Sequence, residues 1–157
     1  MVINYYLSLL SPYAYLGHQR LNKIAATHKI PINYIPINME LVFSSTGGLP
    51  LSKRGPFRQR YRLVELQRWG NFLNIPINLK PQYFPTDEWP ATKLVIREKL
   101  NGFNESNLIF NLLKAVWIED RDIGDTKTLQ DISEQSRQPQ NRITNNSQDK
   151  ILRKQWE

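Results

Sequence analysis

The alternation of apolar and polar residues predicts a strand, a helix and a second strand at the start of the chain. Residues 2–7 are mainly apolar or aromatic and contain no Gly or Pro, which is typical of a strand. Between residues 14 and 24, small and apolar residues recur at three- and four-residue spacing, which predicts a helix. Residues 32–37 form another apolar run. A strand, a helix and a strand in so short a span indicate a right-handed βαβ unit with parallel strands.

Periodic apolar positions further along predict a block of helices. The best matches to helical spacing are residues 58–73, 91–99 and 108–116, and Asp125 has the character of an N-cap for a last helix. Four prolines between residues 75 and 90 predict an extended, ordered connector. We find no convincing further strand.

The pattern therefore divides the chain into two parts. Residues 1–135 are predicted to hold the βαβ unit with a helical block at about 40–135. From residue 136 to 157 the composition changes to Gln, Asn, Arg and Ser, so we predict a polar tail that is disordered or weakly helical.

The junction between the first strand and the first helix is the strongest candidate for chemistry. Ser11 is a natural N-cap, and Pro12 occupies the first helical position, where its missing N–H costs nothing. Free backbone N–H groups and the helix dipole favour an anion at such a place. The alternative is that Ser11 only caps the helix, which an isolated Ser-Pro pair would favour.

Charge and composition exclude several classes of function. The 157-residue chain carries 21 Lys and Arg against 14 Asp and Glu, a net charge of +7. Its basic residues between 53 and 68 alternate with apolar ones at helical spacing, which indicates a solvated basic helix face. No nucleic-acid-binding motif accompanies them, so we predict no nucleic-acid partner.

The absence of cysteine removes disulfides, zinc-thiolate sites and a cysteine nucleophile. His18 and His28 lie ten residues apart and cannot share a metal by themselves, so we predict a surface position for both and no metal site. Trp69 and Trp117 are predicted to lie in the core. No apolar run reaches membrane-spanning length and no signal-peptide pattern opens the chain, which predicts a cytoplasmic protein without a membrane partner.

The segment S-P-Y-A-Y-L at residues 11–16, placed after a strand, resembles the opening of the 2-hydroxychromene-2-carboxylate isomerases. These are close relatives of the kappa-class glutathione transferases and share their DsbA-like thioredoxin fold. The resemblance covers about residues 2–135 and implies an α/β, thioredoxin-like βαβ unit with a large inserted helical block. The further segments that carry it are Q-R-L at 19–21, S-T-G at 45–47, L-Q-R-W at 66–69, I-P-I at 75–77, A-V-W at 115–117, and Glu119, Asp122, Ile123 and Asp125.

The resemblance implies glutathione as cofactor. Where a DsbA-type oxidoreductase has Cys-x-x-Cys, this chain has residues 11–14, so the sulfur must come from a bound thiol. Ser11 is implied as the catalytic residue that hydrogen-bonds and activates the glutathione thiolate, with Pro12 and Tyr13 as further glutathione contacts. In the isomerases the thiolate adds to the substrate, allows bond rotation and leaves. In the transferases it attacks an electrophile and stays attached, and both activities remain open.

The implied substrate is a small aromatic carboxylate. Lys53, Arg54 and Tyr83 lie near the family's substrate contacts, although the two cations are equally well explained as surface charges and Tyr83 by packing. The family's Lys near this point is replaced by Phe43-Ser44, and Gly48 stands where the family has Asn.

The family's closing elements are not found in the sequence. They comprise a Val-Pro segment whose cis-proline loop binds glutathione, a hairpin and a final helix, so the C-terminal strands of the fold are predicted to be missing. A two-stranded sheet leaves an open edge. We therefore expect the chain to self-associate, for example as a homodimer, to be unstable, or to bind glutathione much more weakly than a complete family member. The remaining alternative is a truncated, non-catalytic relative that acts as a binding or dimerisation module.

Overall fold

The computed structural model describes residues 1–137, which form one pair of parallel strands and six α-helices. The βαβ unit and the helices of the central block lie where the apolar spacing predicts them, although three of those helices begin two or three residues earlier. The elements in chain order are β1 (Ile3–Leu7), α1 (Pro12–Thr27), β2 (Ile32–Pro36), α2 (Met39–Thr46), a single 3₁₀ turn (Leu51–Lys53), α3 (Pro56–Leu73), α4 (Trp89–Leu100), α5 (Glu105–Trp117) and α6 (Thr126–Arg137).

The sheet of the described residues has two strands, β1 and β2, in parallel register from Ile3 beside Ile32. The outer edge of β2 is covered by a lysine, because Lys99 Nζ donates a hydrogen bond to the Tyr34 carbonyl at 3.0 Å. A lysine at a strand edge discourages pairing with another chain. The outer edge of β1 has no strand partner within residues 1–137, and the predicted self-association stays a prediction.

The core is built around α5, which packs against α1, α4 and α6. Seven of its 13 residues are buried, and Trp117 at its end is fully buried, as predicted. The prediction for Trp69 is wrong, since 45% of this residue is exposed. Helix α3 turns Leu66 and Gly70 toward the core, so Trp69 lies outside the buried face of the helix. There its ring stands nearly perpendicular to the ring of Phe72.

His18 is 1% exposed, so the predicted surface position is wrong for this histidine, whereas His28 is exposed. Helix α1 lies between the sheet and α5. The His18 ring packs there against the rings of Tyr5 and Tyr34 from the strands and Phe110 from α5. Burial is tolerated because the His18 Nε2 atom lies 3.0 Å from the Ser106 carbonyl, which can only accept.

The last described helix, α6, runs to Arg137 and begins as predicted, with the Thr128 N–H donating to the Asp125 carboxylate at 2.9 Å. Residues 136 and 137 therefore belong to α6. The remainder of the predicted polar tail, residues 138–157, lies outside the described residues.

Candidate functional site

Ser11 lies at the junction of β1 and α1 and caps the helix. Its backbone is extended (φ −80°, ψ 120°), and its Oγ accepts a hydrogen bond from the Ala14 N–H at 3.2 Å. Pro12 follows at the start of the helix. Within residues 1–137 the Ser11 hydroxyl has no acceptor for its own proton, so it is able to donate to a bound group.

A cavity of about 810 Å³ opens in front of Ser11. It lies between the end of β1, the start of α1, helix α2, the first turns of α3 and the connector before α4. This size falls in the usual range for small-molecule sites. Most of its surface is apolar or aromatic, and its polar groups are contributed by a few residues: Ser8, Ser11, Tyr13, Ser52, Arg54, Gln59, Arg62 and Glu88.

Two arginines bring positive charge to this cavity. Arg54 donates through Nε to the Leu49 carbonyl at 2.8 Å, and its guanidinium carbon lies 5.8 Å from the centre of the Phe43 ring. Arg62 reaches in from the first half of α3 and is half-buried over the rings of Phe84 and Trp117, at 5.4 and 5.7 Å. Stacking on aromatic rings stabilises a guanidinium without neutralising it.

Burial lowers the pKa of Arg62, and the nearby charge of Arg54 lowers it too, while Tyr13 opposes them. A lowered arginine pKa still leaves the group cationic at neutral pH. The two arginines thus form a positive patch along one side of the cavity.

Tyr13, which lines the cavity, forms a hydrogen-bonded pair with Glu65, its hydroxyl donating to the Glu65 carboxylate at 2.7 Å. Burial, together with that carboxylate, raises the pKa of Tyr13 to about 12. The tyrosine therefore stays protonated at neutral pH and its proton is committed to Glu65.

Glu88 closes the cavity on the side of β1. Its carboxylate accepts from the Ser8 hydroxyl at 2.8 Å and from the Leu10 N–H at 3.3 Å. Burial raises the pKa of Glu88, and the hydrogen bonds from Ser8 and Leu10 act against that rise. The residue ties the connector before α4 to the turn that delivers Ser11.

Of the residues proposed from the sequence, the structure brings four to this cavity: Ser11, Pro12, Tyr13 and Arg54. Lys53 is exposed in the 3₁₀ turn beside it, and Tyr83 is 42% exposed in the connector; neither is among the described residues that line the cavity. Their role as substrate contacts stays a prediction.

Sequence reasoning missed Arg62 and Glu88. Arg62 belongs to the run that we assigned to a solvated basic face, and that assignment is wrong for this residue because its position on α3 faces inward, one turn before Leu66. Glu88 stands between Asp87 and Trp89 in the proline-rich connector, and no local pattern there indicates its contact with Ser8, 80 residues away.

Two kinds of feature are absent from residues 1–137. No group of three or more His, Asp or Glu side chains is placed to hold a metal ion there. No helix in that part of the chain is both long and apolar enough to cross a membrane.

The chain has the architecture of thioredoxin-like proteins, with a strand–helix junction, helices packed beside it and a cavity at the start of the helix. The family model of the DsbA-like thioredoxin domain matches residues 2–137, so the chain belongs to that family.

More specific similarity is to isomerases of that fold. The 2-hydroxychromene-2-carboxylate isomerases of Pseudomonas putida and Pseudomonas sp. (strain C18) are 33% and 31% identical to this chain over 84 residues. The match covers 53% of this chain and 41% and 40% of theirs, so it spans about two fifths of the curated relatives. A solved 2-hydroxychromene-2-carboxylate isomerase superposes with a TM-score of 0.69 at 21% identity, over 99% of this chain and 77% of that one, which shows the shared fold.

Proposed function

We propose that this protein is a glutathione-dependent isomerase that acts on a small aromatic carboxylate, with Ser11 activating the bound thiolate. The observation that carries the proposal is the Ser11 hydroxyl, which lies at a helix N-terminus, faces an 810 Å³ cavity and has its own proton free among the described residues. The similarity to the Pseudomonas 2-hydroxychromene-2-carboxylate isomerases supports the reaction class.

The chemistry follows from what Ser11 and α1 can supply. A hydroxyl that donates to a thiolate, together with the dipole of a helix start, lowers the pKa of the thiol and holds its anion in place. This thiolate adds to a conjugated carbon of the substrate, which turns a double bond into a single bond. Rotation about that bond and loss of the same thiolate give the isomer, so glutathione is regenerated and nothing is oxidised.

The Ser11→Ala variant tests the proposal. We expect it to lose most glutathione-dependent turnover and the ultraviolet absorbance of the bound thiolate, because the donor to the sulfur is gone. Its free energy of unfolding should fall by only about 1 kcal/mol, the usual effect of losing a helix cap.

The matched control is Asn104→Ala. Asn104 caps α5 by accepting from the Ser106 N–H at 2.9 Å and does not line the cavity, so this variant loses a cap but should keep the activity. Full activity of Ser11→Ala, with glutathione still required, would disprove the role of Ser11. A product that keeps the glutathione would indicate a kappa-class transferase instead, and the absence of glutathione binding in the wild type would indicate a non-catalytic relative.

A further inference from the structure

Arg62 differs from the other arginines of α3. Arg58, Arg60 and Arg68 are exposed to solvent, whereas Arg62 is half-buried and lines the cavity. Arg60 and Arg62 are two positions apart on the helix, about 200° around its axis, so they lie on opposite faces.

No carboxylate neutralises Arg62 within residues 1–137. The carboxylate of Glu65, three positions further along the same helix, accepts from the Tyr13 hydroxyl at 2.7 Å. Glu88, the one acidic residue among the described residues that line the cavity, accepts from the Ser8 hydroxyl and the Leu10 N–H. A half-buried guanidinium stacked on aromatic rings, with its planar donors unused by any acid, is arranged to receive an anion.

Arg54 adds a second cation to the same wall. Its charge is close enough to lower the pKa of Arg62, and the guanidinium is held by the Leu49 carbonyl and by the Phe43 ring. Two cations held side by side repel each other, and a bound anion relieves that repulsion.

The apolar lining restricts what kind of anion fits. The guanidinium groups of Arg54 and Arg62 lie over the rings of Phe43 and Phe84, respectively, and Pro50 and Leu51 add further apolar surface to the cavity. A strongly hydrated inorganic anion gains nothing from such a wall, whereas a flat aromatic ring buries its surface there.

We propose that Arg62, with Arg54 beside it, binds the carboxylate of an aryl carboxylic acid whose ring packs against Phe43 and Phe84. This inference deepens the proposed function and rests on it for the claim that the aryl acid is the substrate. Arg62 then sets specificity: it selects acids over neutral aromatic compounds, and it supplies the positive charge from α3.

The test is binding of 2-hydroxybenzoate to the full chain without glutathione, measured by calorimetry. The neutral amide of the same acid serves as the matched ligand. We expect the wild type to bind the acid at least tenfold more tightly than the amide, because hydrogen bonds to a charged group are the stronger ones. Affinity for the acid should also fall as salt is added.

Arg62→Met removes the charge and keeps most of the aliphatic length, and we expect it to weaken binding of the acid about tenfold or more. Arg60→Met removes the same charge from the exposed face of α3 and should bind like the wild type. Arg62→Lys should fall between them, since it keeps the charge but loses the planar pair of donors. This variant, with the acid–amide comparison, keeps the test decisive if Arg62→Met does not fold.

Several results would overturn the inference. These are equal binding of acid and amide by the wild type, no loss of binding in a folded Arg62→Met, or an equal loss in Arg60→Met, which would make net charge the cause. The Ser11→Ala variant separates this inference from the proposed function. It should keep binding the acid while losing turnover, so a protein that binds the acid but never glutathione refutes the isomerase and leaves the Arg62 site standing.

Discussion

The buried histidine of α1 makes stability depend on pH in a way that can be worked out from its surroundings. Burial lowers the pKa of His18 to about 4 from 6.5, against a smaller opposite effect of the Ser106 carbonyl. Because that carbonyl accepts from Nε2, a second proton would go to Nδ1, which is buried without a hydrogen-bond partner among the described residues.

The unfolded chain binds this proton below about pH 6.5, whereas the folded protein does not bind it until about pH 4. Stability therefore falls as the pH is lowered through this window and does not change further from this cause below it. The two values are 2.5 pH units apart, which at about 1.4 kcal/mol per unit corresponds to roughly 3–4 kcal/mol for the full window. The neighbouring Tyr5 and Tyr34 stay neutral throughout, because burial raises the pKa of both.

His18→Gln tests this reasoning, since its side-chain amide keeps a donor for Ser106 but cannot be protonated in this range. We expect the free energy of unfolding, measured by urea denaturation at several pH values, to fall by roughly 3 kcal/mol less between pH 7 and pH 4 than in the wild type. His28→Gln, which changes the exposed histidine at the end of the same helix, should follow the wild type. If His18→Gln and the wild type lose stability in parallel, the assignment of acid sensitivity to His18 is wrong.

Two further variants test how the elements are tied together. Arg137→Met should lower the melting temperature, because the buried Glu98 carboxylate loses its hydrogen bonds of 2.5 and 3.1 Å to this arginine. Adding Glu98→Gln to that variant should recover part of the loss. An unchanged melting temperature in Arg137→Met would contradict the proposed role of this pair. Glu88→Ala should lower the free energy of unfolding by about 1–3 kcal/mol, since the Ser8 hydroxyl and the Leu10 N–H lose a charged acceptor. Glu88→Gln should be affected less. Equal stability of the wild type and both variants in urea denaturation would refute this prediction.

The strands and helices could be predicted because their signals are local. Residues 3–7 and 32–36 are mainly apolar or aromatic, with Ser8 after the first and Pro31 before the second, and the helices show apolar positions at helical spacing. The cap at Ser11 was predictable for the same reason, since an N-cap residue and the Pro that follows it are adjacent in the sequence.

His18 and Trp69 show where local signals fail. Burial of His18 is possible because its ring nitrogen hydrogen-bonds to the carbonyl of Ser106, 88 residues away. The pattern of apolar residues in α1 gives no indication of a contact with so distant a residue. Trp69 is large and aromatic, but the inward face of α3 is set by Leu66 and by Gly70, where an added Cβ would come within 3.0 Å of the Ile75 carbonyl. Close backbone contact at Gly70 fixes the orientation of the helix and leaves the tryptophan at the surface.

The candidate site also combines groups that are close in the sequence with groups that meet only through the fold, and this affects how its specificity arises. The groups proposed to hold the thiolate belong to one continuous segment, from β1 through Ser11 into α1. The cations proposed to hold the substrate come from a separate turn and from α3, and they meet the first segment only in the folded protein. Because the two sets belong to different elements, a change at Arg62 leaves the cap at Ser11 intact. This chain illustrates such independence, since it has Phe43-Ser44 where its resemblance to the isomerases leads one to expect a lysine, and it places Arg62 beside Arg54 on one side of the cavity. Thiol activation and substrate choice are therefore expected to respond separately to mutation, with Ser11 governing the first and Arg62 the second.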